Sequence, residues 1–180
     1  MDKILIEGER LRLCRADLSD LPFIMEIQHK PENIPFIVPF DEDFHREIIN
    51  SDNTEKMDVI AAEIETGAAV GYFMLCELDD CGVEWRHVII DKKGIGYGRE
   101  SLKLLMQWSF EVKKFHRGWL DCKPHNERAL HLYESCGMKR EGLFRECICV
   151  NGVYEDLVVL SILDREYFSQ KNNRPQAVAP

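Results

Sequence analysis

The chain lacks most of the features that would place it at once. None of its 180 residues form an apolar run long enough to span a bilayer, so no membrane association is expected. The start, Met1-Asp2-Lys3-Ile4-Leu5-Ile6-Glu7, has no basic stretch leading into an apolar core, so secretion is not expected and the cytoplasm is. There is no Cys-x-x-Cys pair. The seven cysteines are odd in number and irregular in spacing, and Cys147 and Cys149 fall on opposite faces of an expected strand. That argues against structural zinc and a disulfide framework and for reduced thiols, and no metal is expected. Positive charge is scarce. Lys and Arg number 23 against 32 Asp and Glu, a formal net charge of −9, which argues against a nucleic-acid partner. The same charge would draw a cationic substrate, and solubility alone would also account for it. No repeat and no linker divide the chain, so a single domain over residues 8–168 is expected, followed by a polar tail at 169–180.

The most informative segment present is Val88-Ile89-Ile90-Asp91-Lys92-Lys93-Gly94-Ile95-Gly96-Tyr97-Gly98-Arg99-Glu100. An apolar strand runs into a loop with three alternating glycines, and an amphipathic helix follows. Such a loop presents several backbone N–H groups to one anion, and the helix N-terminus adds its dipole. A phosphate-bearing ligand is therefore indicated, with a bare glycine turn as the alternative. No Lys-Ser or Lys-Thr follows Gly94, Gly96 or Gly98, which excludes a Walker A loop here. A dinucleotide fingerprint fails in both registers, because its third glycine falls on Arg99 or Ser101.

The remaining elements follow from periodicity and punctuation. Strands are expected at Arg10–Arg15, Asp58–Glu65, Ala69–Cys76, Val83–Ile90, Gly118–Cys122, Leu143–Val150 and Val153–Leu163. Thr66-Gly67 and Asn151-Gly152 read as tight hairpin turns. Helices are expected from Asp17 or Ser19 to His29 and from Asp41 to Ile49. A third follows the glycine loop, with Leu102, Leu105, Ser109 and Val112 on one face, and a fourth runs between Asn126 and Gly137. The order β-α-α-β-β-β-α-β-α-β-β predicts a mixed α/β domain around one sheet.

The loop also fits Arg/Gln-x-x-Gly-x-Gly/Ala at Lys93, Gly96 and Gly98, with Lys93 where Arg or Gln is usual. Downstream, Asn126-Glu127-Arg128-Ala129-Leu130-His131-Leu132-Tyr133-Glu134-Ser135-Cys136-Gly137-Met138 fits Asn-x-x-Ala-x-x-x-Tyr-x-x-x-Gly-Phe, with Met138 for Phe. Glu141, Gly142 and Arg145 fit as well. Together, over Arg10 to Phe168, these resemble the GNAT acetyl-CoA-dependent N-acetyltransferases. The resemblance is narrower to the RimJ/RimL-like branch, which includes ribosomal-protein N-terminal and spermidine acetyltransferases. It implies a central, mostly antiparallel mixed sheet of about seven strands with flanking helices. It also implies acetyl-CoA as co-substrate, direct attack by a primary amine in a ternary complex, and a possible homodimer. The amine would be a polyamine, a peptide or protein N-terminus, or another small amine. A non-catalytic acyl-CoA-binding module and a purely structural domain on the same scaffold are the alternatives.

The resemblance assigns roles residue by residue. The backbone of Val88, Ile89 and Ile90 would pair with the pantetheine arm and polarise the thioester carbonyl. Lys93, Gly94, Ile95, Gly96, Tyr97, Gly98 and Arg99 would cradle the diphosphate. Asn126 reads as an N-cap and, by the resemblance, as a coenzyme contact. Tyr133 would supply the proton to the leaving thiolate, although helical spacing alone makes it a half-buried anchor. For the base, Glu84 is preferred over His87, with water a further route. Strand alternation puts those two side chains on opposite faces. Glu32, Asp41, Glu42, Asp43 and Glu47, interleaved with Phe36, Phe40 and Phe44, would suit a cationic acceptor, or else form an ordinary acidic helix start.

Overall fold

The computed structural model describes residues 3–51, 55–78 and 81–172. Its strands are β1 (Ile4–Glu7), β2 (Leu11–Arg15), β3 (Lys56–Glu63), β4 (Ala69–Cys76), β5 (Gly82–Ile90), β6 (Arg117–Cys122), β7 (Lys139–Val150) and β8 (Val153–Leu163). The helices are α1 (Leu21–Gln28), α2 (Glu42–Asn50), α3 (Tyr97–Gln107), α4 (Glu127–Ser135) and α5 (Asp164–Asn172). All eight strands form one open sheet in the order β1-β2-β3-β4-β5-β6-β8-β7. Only β5 and β6 run parallel; every other neighbouring pair is antiparallel.

Helices cover both faces. Leu11, Leu13, Val59, Phe73 and Trp85 pack with Leu102 and Leu105 of α3 and Leu130 of α4. On the other face, Ile60, Tyr72, Met74 and Ile89 meet Ile24 and Ile27 of α1 and Ile48 of α2. Asp41 caps α2, accepting from the Phe44 N–H at 2.8 Å. A buried polar cluster pins this helix to the sheet: His45 Nδ1 lies 2.8 Å from Asp58 Oδ2, and Tyr72 Oη donates to Asp58 Oδ1 at 2.8 Å. The connection between α1 and α2 is also tied down. Asn33 Nδ2 donates to the Ile27 carbonyl at 2.8 Å, and the Phe40 N–H donates to Gln28 Oε1 at 3.2 Å. At the far hairpin Asn151 and Gly152 both have positive φ, 52° and 81°, the mirror-image turn that matches strand twist.

The sheet has one strand more than the seven expected. β1 is a short, unalternating apolar run, so it carries no period-2 signal; it forms by pairing with β2. β7 begins at Lys139 rather than Leu143, since a solvent-facing edge strand needs no apolar pattern. α5 runs through 168 and 169 and has no buried residue, so no helical stripe marked it. Residues 173–180 of the expected tail lie outside the described residues. Val112, expected on the inner face after the glycine loop, is exposed, while Phe110 is buried. The cause is a π turn over Trp108–Val112, which rotates the helical phase.

A bulge in β5 also revises an expectation. Met74 pairs with His87 and Cys76 with Glu84, but Leu75 pairs with Trp85, so Arg86 is the extra residue. Glu84 and His87 therefore share one face instead of lying on opposite ones.

Candidate active site

The two parallel strands touch only briefly. Gly82 pairs with Arg117, Val83 with Gly118 and Glu84 with Trp119. Beyond that the strands part. Trp85 is fully buried against Gly118, where any Cβ would lie 2.5 Å from its ring. This close approach fixes where the strands diverge. Ligands of open α/β sheets bind outside the carboxyl ends of parallel strands. Here the gap widens into a cavity of about 420 Å³.

One wall is the end of β5: Arg86, Val88, Ile89 and Ile90. The floor is the glycine loop, through Lys93, Gly94 and Gly96, and the start of α3, through Gly98 and Arg99. Gly94 and Gly96 have φ of 86° and 90°, a region L-residues rarely adopt, so the loop's path depends on glycine there. The opposite wall is Asp121 and Cys122 at the end of β6, then Asn126, Arg128, Ala129, Leu132 and Tyr133 around α4. Asn33, Phe36 and Ile37 from the α1–α2 connection close one side. The Lys93 ammonium donates to Asn33 Oδ1 at 3.0 Å, joining that connection to the loop.

Most of the residues singled out in the sequence thus meet at one cavity. Asn126 lines it, and its Oδ1 accepts from the Ala129 N–H at 3.3 Å, so it also caps α4. Tyr133 is buried, and burial with the nearby Cys122 and Asp121 pushes its phenol well above the ordinary value. Its proton therefore stays in place at any physiological pH. Four residues are placed elsewhere. Ile95 is half exposed and turns its carbonyl away toward Arg10, and the Tyr97 phenol donates to Glu63 Oε1 at 3.0 Å. Glu84 is buried outside the lining, with both oxygens taken by Arg86: Nε at 3.0 Å from Oε1 and Nη2 at 2.6 Å from Oε2. His87 is also buried off the cavity. Its Nδ1 has no hydrogen-bond partner, and burial, aided by His45 and Arg86, pushes its pKa down to about 4.

Asp121 is one of the site residues not singled out from sequence, with Arg86 and Arg128. It is the acidic side chain of the lining. Burial, with the negative charge of Glu84, pushes its carboxyl up to about 6 against the pull of Arg86. The available signal was its place next to the carboxyl end of a parallel strand, five residues before Asn126. The acidic stretch 32–47 contributes no carboxylate to the lining: Asp41 caps α2 and Glu42 pairs with Arg46.

The lining brings together Gly94, Gly96, Gly98, the start of α3, Lys93, Arg99 and Arg128, a set whose chemistry suits a phosphate group. The same lining holds a protonated phenol, Tyr133, and a carboxylate raised to about 6, Asp121, a pairing suited to group transfer with proton movement. The class defined is a transferase that draws on a phosphate-bearing carrier. The acetyltransferase (GNAT) domain matches residues 10–139, and the chain belongs to that family: it is an acetyl-CoA-dependent N-acetyltransferase. It is 27% identical over 172 residues to the spermidine N(1)-acetyltransferase of Vibrio cholerae, covering 91% of this chain and 98% of that one. A crystal structure of spermidine N-acetyltransferase from Vibrio cholerae, in complex with CoA and spermine, superposes with a TM-score of 0.79 at 23% identity, over 89% of this chain and 99% of the other. A GNAT acetyltransferase from Bacillus anthracis superposes with a TM-score of 0.77 at 23% identity, over the same shares. Among the described residues no helix is long and apolar enough to cross a membrane.

Proposed function

We propose that the acceptor is the primary amine of a polyamine, and that Asp121 takes the proton that this amine must lose. The observation that carries the reading is the placement of Asp121 and Tyr133 on the same wall of the gap between β5 and β6. An alkylammonium is attracted to Asp121, gives up a proton there, and attacks as the neutral amine beside Tyr133. The likeness to spermidine acetyltransferases supports the acceptor class.

The coenzyme fits the cavity through Gly94, Gly96, Lys93 and Arg99 at its phosphates, with Asn126 beside them and the backbone of Val88, Ile89 and Ile90 along its arm. When bound, acetyl-CoA supplies the thioester. Everything else falls to this chain. Asp121, held near neutrality, accepts the ammonium proton directly or through water. A β5 backbone N–H polarises the carbonyl. Tyr133 donates the proton that the departing sulfur needs and regains one from the attacking nitrogen, which sheds its second proton as the amide forms. Glu84 acts at one remove: it fixes the Arg86 guanidinium, whose charge tempers the basicity of Asp121. The base role assigned to Glu84 from sequence thus passes to Asp121, because both Glu84 oxygens are engaged off the cavity.

The Asn126–Gly137 pattern supports placement on the RimJ/RimL-like branch, and the odd count and irregular spacing of the seven cysteines support a cytoplasmic setting. Homodimerisation through the β7 edge is favoured by exposed Leu143, Phe144, Val153 and Tyr154 on the β7–β8 hairpin. The test of function is free-thiol release from acetyl-CoA with an amine panel. Spermidine should turn over faster than short peptides, and no measurable rate with spermidine would sink the polyamine assignment.

A further inference from the structure

Two loop residues expected at the coenzyme, Ile95 and Tyr97, face backwards instead, and both are held by Arg10. The Arg10 Nη1 donates to the Ile95 carbonyl at 3.0 Å, and its guanidinium lies 4.9 Å from the centre of the Tyr97 ring. Its Nε donates to Glu100 Oε2 at 2.8 Å, and Nη2 lies 2.8 Å from the same oxygen. The other Glu100 oxygen accepts the backbone N–H groups of Arg10 and Leu11 at 2.8 and 3.0 Å. Glu100 sits in the first turn of α3, so Arg10 joins the residue before β2, the glycine loop and the helix behind it. The Tyr97 hydroxyl is anchored in turn on Glu63, which also accepts from Lys92 at 2.5 Å and Thr66 at 2.6 Å.

The consequence lies in the peptide between Ile95 and Gly96. In a trans peptide the carbonyl and the following N–H point in opposite directions. An Ile95 carbonyl held back on Arg10 turns the Gly96 N–H forward, and Gly96 lines the cavity. A side chain at residue 96 would meet the same guanidinium, because a Cβ there lies 3.2 Å from Arg10 Nη2. We infer that Arg10 is a positioning residue for diphosphate binding: it touches no ligand, and latches the glycine loop so that its amide donors are aimed before the coenzyme arrives. Such preorganisation lowers the cost of ordering the loop on binding. The inference rests on the reading that this loop binds the coenzyme diphosphate.

The test is calorimetric titration of the full chain and of its Arg10→Met and Arg10→Lys variants. The ligands are CoA, 3′-dephospho-CoA, which keeps the diphosphate, and pantetheine, which lacks it. Arg10→Met should weaken CoA and dephospho-CoA by about tenfold each, as for loss of an oriented donor to a charged group, and pantetheine by less than about twofold. Arg10→Lys keeps the charge and one donor but not the fork, and should fall between. Equal weakening of all three ligands would show a merely structural role and overturn the inference, as would unchanged CoA affinity in both variants. If the unmodified protein itself binds pantetheine as tightly as dephospho-CoA, the diphosphate reading of the loop falls, and the latch falls with it. A preference that persists undiminished in Arg10→Met removes the latch alone.

Discussion

Replacing Asp121 by Asn should make the protein more stable and nearly inactive, and the two effects have one cause. In the folded chain burial and Glu84 lift the Asp121 carboxyl from 3.8 to about 6. The folded state therefore holds a proton that the unfolded chain has already released between those pH values. The sign follows from linkage: stability falls as pH rises from about 4 to about 6, and the full penalty persists above that. The raised value corresponds to roughly 3 kcal/mol at neutral pH as an upper bound. Asp121 is only partly buried, so solvent screening should reduce this to on the order of 1–2 kcal/mol. Asn keeps the shape and removes the charge. At pH 7.5 Asp121→Asn should raise the melting temperature by about 3–6 °C, and at pH 4, where Asp121 is already protonated, it should change little. In the same variant kcat/KM should drop by about 10²–10⁴, the usual worth of a positioned base. The unmodified enzyme should show an acidic limb near pH 6 that the variant lacks. Thermal melts at the two pH values and thiol-release kinetics across pH with spermidine read out each part. A variant less stable than the parent at pH 7.5, or one that retains the limb, would refute the reasoning.

Two further substitutions address other parts of the site. Tyr133→Phe removes the donor without changing the packing of α4; kcat should fall by about 10²-fold or more while CoA affinity in a titration is unchanged, and a preserved kcat would remove Tyr133 as the acid. Gly118→Ala places a methyl group 2.5 Å from the Trp85 ring, where overpacking should cost about 1–3 kcal/mol in urea unfolding and weaken CoA binding as the strands are pushed off register; a neutral outcome would mean that the β5–β6 gap is not set by this contact.

Some of this was legible residue by residue. Asn151-Gly152 carries its turn in its own backbone preferences, and Asn126 caps α4 because its carbonyl oxygen reaches an N–H three residues on. The glycine loop and Tyr133 declared themselves by short-range pattern, and both reached the cavity. Where the reading stopped, the determining contacts were distant. β1 is a strand because β2 lies beside it, and α5 has no apolar stripe to read. Glu84 was expected to face the acceptor and instead has both oxygens held by Arg86, and the bulge that puts Glu84 and His87 on one face is announced by no residue in β5. Ile95 and Tyr97 belong to the loop by sequence and to Arg10 by geometry.

The amino-acid sequence by itself determined the order of the central elements, the glycine loop and its helix, the Asn126 cap and the family resemblance, because each rests on interactions or patterns within a few residues along the chain. Only the tertiary structure decided which carboxylate lines the cavity and which residues the glycine loop is tied to. Asp121 and Arg86 come together, and Arg10 meets Glu100, through sheet pairing and packing that join segments some 35 to 90 residues apart. A carboxylate's basicity is set by such neighbours, and by its distance from water, rather than by the residues beside it in the chain.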